Sequence, residues 1–376
     1  MRRMRRLKFV SILVLTVLVL SSSMQVVQSQ ITDVYFAAVY EMEWAPSDES
    51  TDGEVWVSIH RSDGTVTDIQ VTDTSEDESD PSIAIAPNGN IIVAWEVVGL
   101  SVYYAVYDRW GNIIKMPTVL SSQLLDRDSC VAVTPNNVVF VVWESTRPGD
   151  GIDDVAYVTM NVDGENVSPE RRISGVEGDI SDPTVAASTK NGADNRVVLA
   201  WEDFDGENDQ VAFTILDSSG NTLVSKRALT DTTEENEDVN AAILPNGNTV
   251  IVWEGNWEET SGDDVGYAII DSSGTPVVPV TFISRPTDID GPGVAATPSG
   301  NIVIVWDEME GEFGPDDVMF TILDGMGNTV VSITKLADST STSRRGHSSS
   351  EQVHYAGSLP SSGRPSGCGH SRPSSQ

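Results

Sequence analysis

Aspartate and glutamate are the side chains that best equip this sequence for chemistry. The 376 residues include 57 Asp+Glu against 22 Lys+Arg, which gives a formal net charge of −35. Carboxylate oxygens at this density suit Ca²⁺, which binds about six to eight oxygens. Two carboxyl groups held close together can also act as acid and nucleophile or base on a glycosidic bond. The negative charge repels nucleic acid and anionic membranes, so we expect neither as a partner.

Candidate cation ligands lie in loops, often as Asp-Asp or Asp-x-Asp pairs. Asp-x-Asp spacing places two side chains on one side of an extended segment. We predict Ca²⁺ ligands among these residues: Asp126, Asp128, Asp153, Asp154, Asp179, Asp182, Asp263, Asp264, Asp288, Asp290, Asp316 and Asp317. The segments do not match known calcium-loop motifs. Solvated acidic loops that bind ions only diffusely are therefore the alternative.

Other catalytic signatures are weak. His60 is the only histidine outside residues 339–376, which argues against a His-dependent triad and a multi-histidine metal centre. The sequence contains no Gly-x-Ser-x-Gly elbow and no glycine loop that would cradle a phosphate. We therefore predict no catalytic residue, and a glycosidase would depend on carboxylate density alone.

A repeat positions these carboxylates. Short apolar runs end in tryptophan about every 50 residues, at Trp44, Trp95, Trp143, Trp201, Trp253 and Trp306. The unit from Asp238 to Ile283 predicts four strands, A to D, joined by tight turns such as Pro245-Asn246-Gly247-Asn248. Runs such as Val250-Ile251-Val252-Trp253 are apolar on both faces and must be covered on both. We predict an all-β, six-bladed β-propeller of four-stranded antiparallel blades, with a β-sandwich-type repeat array as the alternative.

The predicted blades place most acidic segments on one side. In an up-and-down blade, the B to C loop and the link from D to the next A emerge together, and we call this side the acidic face. Acidic residues follow the repeat tryptophan at Glu96, Glu144, Glu202, Glu254 and Asp307. We expect these to end strand B and cap the neighbouring loop.

Three loop aromatics interrupt the repeat on this face and are the predicted ligand-binding residues. They are Trp257, Phe313 and Phe204. An aromatic ring in a polar loop can stack on a sugar or on a partner's side chain. Folding down onto the blade edge is the alternative.

The two ends of the chain differ from the repeats. Residues 1–29 have a basic start and a short apolar core, which predict a signal peptide and hence a secreted, extracellular or cell-surface protein, with the periplasm as the alternative. The apolar core is short for a membrane span, and we expect none beyond this segment. Residues 30–338 form the predicted propeller. Residues 339–376 form a low-complexity tail, in which residues 352–363 imitate a strand A that could close the ring.

The repeat resembles known propellers. The pattern runs from Pro-Asn-Gly-Asn through an apolar strand, Asp264-Val265 and Asp271-Ser272-Ser273-Gly274 to a strand ending like Leu229-Thr230. This is similar to the blades of TolB-type six-bladed propellers and to Trp-Glu repeats of secreted or cell-surface proteins. The resemblance implies a propeller with a binding role and transfers no catalytic residue.

These observations give two functional expectations. The main one is a secreted or surface-exposed non-enzymatic binding or structural propeller, whose acidic face binds cations and an unidentified protein or glycan partner. The alternative is a carbohydrate-active enzyme of glycosidase type that uses paired carboxylates on the same fold.

Overall fold

The fold is a six-bladed β-propeller. The computed structural model describes residues 35–43, 53–121, 125–146, 152–173, 179–188, 195–255, 263–283, 289–309, 316–338 and 353–358. Within these ranges the chain forms strands and no helix, and the strands make six four-stranded antiparallel sheets. The predicted fold class is confirmed, and the sandwich-type array is excluded.

The blades follow one another along the chain. Blade 1 contains β1 (Tyr35–Glu43), β2 (Gly53–Arg61), β3 (Val66–Gln70) and β24 (Val353–Ser358). Blade 2 contains β4 (Glu78–Ile85), β5 (Ile91–Val97), β6 (Ser101–Tyr107) and β7 (Ile113–Val119). Blade 3 contains β8 (Arg127–Val133), β9 (Val138–Thr146), β10 (Asp153–Asn161) and β11 (Arg171–Arg172). Blade 4 contains β12 (Ile180–Ala187), β13 (Arg196–Phe204), β14 (Asp209–Asp217) and β15 (Thr222–Ala228). Blade 5 contains β16 (Asn236–Ile243), β17 (Thr249–Gly255), β18 (Asp264–Ile270) and β19 (Pro276–Ile283). Blade 6 contains β20 (Ile289–Ala296), β21 (Ile302–Met309), β22 (Asp316–Leu323) and β23 (Thr329–Asp338).

The core lies between successive blades, which explains why the strands are apolar on both faces. Trp201 of β13 belongs to the same buried cluster as Val142 of β9, and Trp253 of β17 shares a cluster with Phe213 of β14. The repeat tryptophans of blades 2 to 6, which are Trp95, Trp143, Trp201, Trp253 and Trp306, are at most 1% exposed. Each blade therefore packs one face against the preceding blade and the other face against the following blade.

A repeated contact joins neighbouring blades away from the acidic face. The Tyr104 hydroxyl donates to the carbonyl of Gly164 at 2.9 Å, and Tyr157 donates to Gly220 at 2.9 Å. Gly164 has φ +73, and a Cβ there would lie 2.9 Å from a ring carbon of Tyr104. The turn glycine is therefore required by its backbone conformation and by the approach of the neighbouring aromatic ring.

Blade 1 departs from the tryptophan repeat. Val39 pairs with Val57 in β1 and β2, as Ala94 pairs with Tyr104 in blade 2. This register puts Tyr40 and Glu41 where the other blades have tryptophan and its following acid. Trp44, which the sequence suggested for this position, lies outside the described residues.

Strand β24 completes blade 1. It pairs antiparallel with β1 from Tyr35↔Ser358 to Tyr40↔Val353. It contacts β4, and β4, β8, β12, β16 and β20 contact one another in succession, so these strands surround the axis. Residues 1–34 and 359–376 lie outside the described part, and the signal peptide and domain limits stay predictions. No helix within the described ranges has the length and apolar character needed to cross a membrane.

Candidate active site

The innermost strands carry a bulge near the acidic face. The pairing register shifts between Ser79 and Ser82 in blade 2 and at the matching point of blades 3 to 6. The bulge residues have positive φ: Asp80 (48°), Asp128 (52°), Asp182 (46°), Asp238 (53°) and Gly291 (55°). Aspartate tolerates this left-handed conformation better than most residues. The bulge therefore turns a carboxylate out of the strand's regular alternation.

In blades 2, 4 and 5 the acid after the repeat tryptophan reaches across to the next blade. The Asp128 N–H donates to Glu96 Oε2 at 3.0 Å, and the Asp238 N–H donates to Glu202 Oε1 at 2.7 Å. The Gly291 N–H donates to Glu254 Oε2 at 3.3 Å. The expected capping role is thus exerted on the bulge of the neighbouring blade, which brings the glutamates and the bulge aspartates together.

We call the resulting set of carboxylates around the axis the carboxylate ring. Its members are Asp80, Glu96, Asp128, Glu144, Asp182, Glu202, Asp238, Glu254 and Asp290. Burial, followed by the negative charges of Asp80 and Asp128, raises the pKa of Glu96 to about 7. Burial and the charge of Asp290 raise the pKa of Glu254 to about 9. Buried like charges therefore favour the protonated acid in parts of the ring.

We call the first close group the Glu96 site. One carboxylate oxygen each from Asp80, Glu96 and Asp128 lies within 4.8 Å of the others. Glu96 is 8% exposed, and the Ser79 hydroxyl donates to its Oε1 at 2.9 Å. The Arg127 guanidinium lies 3.5 Å from Asp128 Oδ2. The Glu96 carboxyl group thus favours its protonated form, and the neighbouring Asp128 faces the permanent positive charge of Arg127.

Three exposed apolar side chains, Val98, Leu100 and Leu125, adjoin the Glu96 site, and we call them the apolar ledge. Blade 2 links β5 to β6 through only Val98, Gly99 and Leu100, and the Leu125 N–H donates to the Leu100 carbonyl at 3.1 Å. Leu125 is 54% exposed, and Val98 and Leu100 are also exposed. Leu125 has φ +72, which is strained for a bulky side chain. This short link and its ledge offer an apolar surface beside polar groups, as ligand sites commonly do.

The carboxylates of blade 3 are neutralised by the chain itself. Arg127 forms ion pairs with Glu144 and, at 3.0 Å, with Asp153. Arg172 lies 3.5 Å from Asp154 and donates to the Ser145 hydroxyl oxygen. Asp126 accepts the Ser145 hydroxyl at 2.6 Å. The register shift after Arg127 separates Asp126 from Asp128, and guanidinium groups take the place predicted for a cation.

A second close group lies between blades 5 and 6. Oxygens of Asp238, Glu254 and Asp290 lie within 4.8 Å of one another, and Asp263 adds to the negative charge around Glu254. We call this group the Asp238 site. It contains one of the predicted ligands, Asp290, while a second, Asp263, acts on it only through its charge.

The other predicted site residues are dispersed. Asp179 accepts the Asp153 N–H at 3.0 Å, Asp182 lies in the carboxylate ring, and Asp264 is buried in β18. Asp317 pairs with Lys335 at 2.6 Å. Phe204, 39% exposed, ends β13 on the acidic face. Four of the predicted site residues have no described side chain. Asp288, Trp257 and Phe313 lie outside the described residues, and the side chain of Asp316 lies outside the described part as well.

The sequence analysis did not select Asp80, Glu96, Asp238 or Glu254 as site residues. The signal was available in the repeated Trp-Glu pair and in the bulge aspartates, of which Asp80 and Asp182 each precede a proline. Their adjacency arises from the contact between the glutamate of one blade and the bulge of the next, which the pattern within one repeat does not show.

Comparisons with known proteins find likeness to solved structures only, at low identity. No protein-family model and no curated protein matches the chain. Similar solved structures include an α-L-arabinofuranosidase from Fusarium graminearum, with 12% identity, TM-score 0.49, and coverage of 78% of this chain and 93% of that chain. An α-L-arabinanase from Penicillium chrysogenum has 15% identity, TM-score 0.43, and coverage of 69% and 93%. An endo-arabinase from Bacteroides thetaiotaomicron has 9% identity, TM-score 0.42, and coverage of 64% and 92%.

The main functional expectation is corrected here. These structures, and others similar to the chain, are named as arabinan-cleaving enzymes or arabinofuranosidases. The expectation of a non-enzymatic binding or structural module is therefore wrong as the main reading and is not carried forward. Likeness at this level carries no argument about the activity of this chain, which has to be argued from the site.

Proposed function

We propose that the protein is a glycoside hydrolase that acts with retention of configuration at the Glu96 site. The observation that carries the proposal is the grouping of Asp80, Glu96 and Asp128, whose carboxylate oxygens lie within 4.8 Å of one another on the acidic face. Retaining glycosidases hold their two carboxyl groups about 5–5.5 Å apart, whereas inverting enzymes need roughly 6.5–9.5 Å to admit a water.

The environments of the carboxyl groups suggest their roles. Glu96 is buried beside two other acids, which suits a general acid that must carry a proton near neutral pH. Asp128 lies within 4.8 Å of Glu96 and beside the Arg127 guanidinium, and this position assigns it the role of nucleophile. Asp80 acts through Glu96 as a positioning residue, because its charge helps to keep the Glu96 proton in place.

The chemistry has two balanced steps. Glu96 gives its proton to the glycosidic oxygen as the bond from that oxygen to the anomeric carbon breaks, and an Asp128 oxygen bonds to that carbon as an ester. Water then attacks the anomeric carbon, gives a proton to the Glu96 carboxylate, and displaces Asp128. Both carboxyl groups return to their starting states. The ledge of Val98, Leu100 and Leu125 contacts an apolar face of the sugar or its leaving group.

The test is hydrolysis of 4-nitrophenyl glycosides and of polysaccharides by the full chain. Glu96→Gln and Asp128→Asn are each expected to lower kcat by about 100-fold or more. Glu96→Gln is expected to lose less on substrates with activated leaving groups, because these need less proton donation. Glu207→Gln is the matched control, since Glu207 is exposed on the same face in the β13–β14 link and outside the site.

Two outcomes overturn the proposal. One is no hydrolysis of any member of the panel by the wild type. The other is hydrolysis that Glu96→Gln and Asp128→Asn leave at the level of Glu207→Gln.

Two further proposals accompany the hydrolase. The signal-peptide-like residues 1–29 support secretion of the protein. Secretion would bring it to polysaccharide substrates outside the cell. The finer likeness to TolB-type and Trp-Glu repeats is proposed as a relationship of the blades and assigns no chemistry.

A further inference from the structure

We propose that the Asp238 site, between blades 5 and 6, binds one divalent cation, Ca²⁺ by its ligand chemistry. The site consists of Asp238, Glu254 and Asp290, and it does not depend on the proposed hydrolase. Hard cations such as Ca²⁺ prefer carboxylate oxygens. Oxygens within 4.8 Å of one another can share one ion at a ligand distance of roughly 2.3–2.6 Å.

The Asp238 side chain is the independent observation that points to a ligand. Asp238 is 7% exposed, and its backbone N–H donates to Glu202. Among the residues that the structure describes, its carboxylate has no hydrogen-bond donor and no cationic partner. It lies instead against Glu254 and Asp290. A buried carboxylate that faces only other carboxylates is costly unless a cation compensates it.

Blade 3 shows what the chain does where it supplies its own cation. Arg127 in β8 pairs with Glu144, just as Asp290 in β20 pairs with Asp307. These are equivalent positions of the repeat. In blade 3 the position carries a guanidinium in contact with Glu144, Asp128 and Asp153. At the Asp238 site the same position of the repeat carries Asp290, a third carboxylate, in place of the arginine.

The surrounding charges strengthen the case for a divalent ion. Besides Asp290, the carboxylates of Asp263 and Glu237 act on Glu254. Glu254 and Asp290 are partly exposed, whereas Asp238 is buried. An ion can therefore enter from the acidic face and meet the buried carboxylate last. The remaining oxygens of its coordination shell come from water or backbone carbonyls.

The experiment is calorimetric titration of the full chain with CaCl₂ after removal of bound metal, with thermal melting in chelator, in CaCl₂ and in molar NaCl. We expect one saturable site with a dissociation constant of about 0.1–1 mM or tighter, and a melting temperature that rises with Ca²⁺ and then levels off. Asp238→Asn and Glu254→Gln are each expected to weaken binding at least ten-fold. Glu207→Gln should leave it unchanged.

Asp238→Asn also separates ligation from folding. Asparagine tolerates the positive φ of this position, so the bulge is expected to survive. In chelator this variant should melt no lower than the wild type, because asparagine adds no negative charge to the group of buried acids, while its response to Ca²⁺ is lost. The proposal is overturned if wild type shows no saturable Ca²⁺ binding, if molar NaCl reproduces the whole rise, or if Asp238→Asn binds Ca²⁺ as wild type does.

Discussion

Replacing Glu96 with glutamine is expected to change how the stability of the protein depends on pH. The pKa of Glu96 in the folded protein is about 7, against 4.5 for an exposed glutamate. The folded state therefore binds this proton more tightly than the unfolded state does. The resulting stabilisation is fully present below pH 4.5 and is lost as the pH rises through 7. At 1.36 kcal/mol per pKa unit, the whole effect is roughly 3 kcal/mol.

The assay is urea unfolding of wild type and Glu96→Gln in chelator across pH 4.5 to 8. Glutamine carries no titrating proton, so the free energy of unfolding of the variant relative to wild type should rise by up to roughly 3 kcal/mol between the two ends of this range. Glu207→Gln removes an exposed carboxylate from the same face and should leave the pH dependence unchanged. Parallel curves for Glu96→Gln and wild type would show that the folded protein does not hold this proton.

Three further changes test the packing of the blades. Tyr104→Phe removes the hydrogen bond to the Gly164 carbonyl and should cost about 1–2 kcal/mol of unfolding free energy in urea; an unchanged value would contradict the contact. Gly164→Ala should lower the free energy of unfolding by at least about 1 kcal/mol more than Gly99→Ala does. Both glycines have positive φ, but only at Gly164 would a Cβ meet a side chain. Equal losses would show that the approach of the Tyr104 ring does not restrict this position. Deletion of residues 339–376 removes β24 and exposes the edge of β1, so the melting temperature should fall by about 5 °C or more and the protein should associate through the open edge. Deletion of residues 359–376 keeps β24 and should have neither effect. Equal melting temperatures for the two deletion variants would refute closure of the ring by β24.

The fold was predictable because its signals are local and repeated. Turn glycines such as Gly274 and two-faced runs such as Val250 to Trp253 carry the blade pattern within one unit. Blade 1 was harder, since Tyr40 replaces the tryptophan and register alone identifies it. The pairing of β24 joins segments from opposite ends of the chain, which a local pattern only suggests.

The site was less predictable because it is built between blades. Regular alternation along the strand predicted that the Asp126 and Asp128 side chains would lie on the same side. Because of the bulge, Asp128 instead lies beside Glu96, and Asp126 accepts a hydrogen bond from Ser145. Arg127 is one of few basic residues in this region, and its contacts with three carboxylates depend on that bulge. Spacing within one segment could not show which acids would meet across a blade interface.

The most direct test of the central claim is the anomeric configuration of the first product, followed by ¹H NMR during hydrolysis of the best substrate of the panel. Carboxylate oxygens within 4.8 Å of one another at the Glu96 site predict retention, with a product signal that Glu96→Gln and Asp128→Asn suppress. An inverted first product, or turnover that survives in both variants, would contradict the assignment of the chemistry to this site.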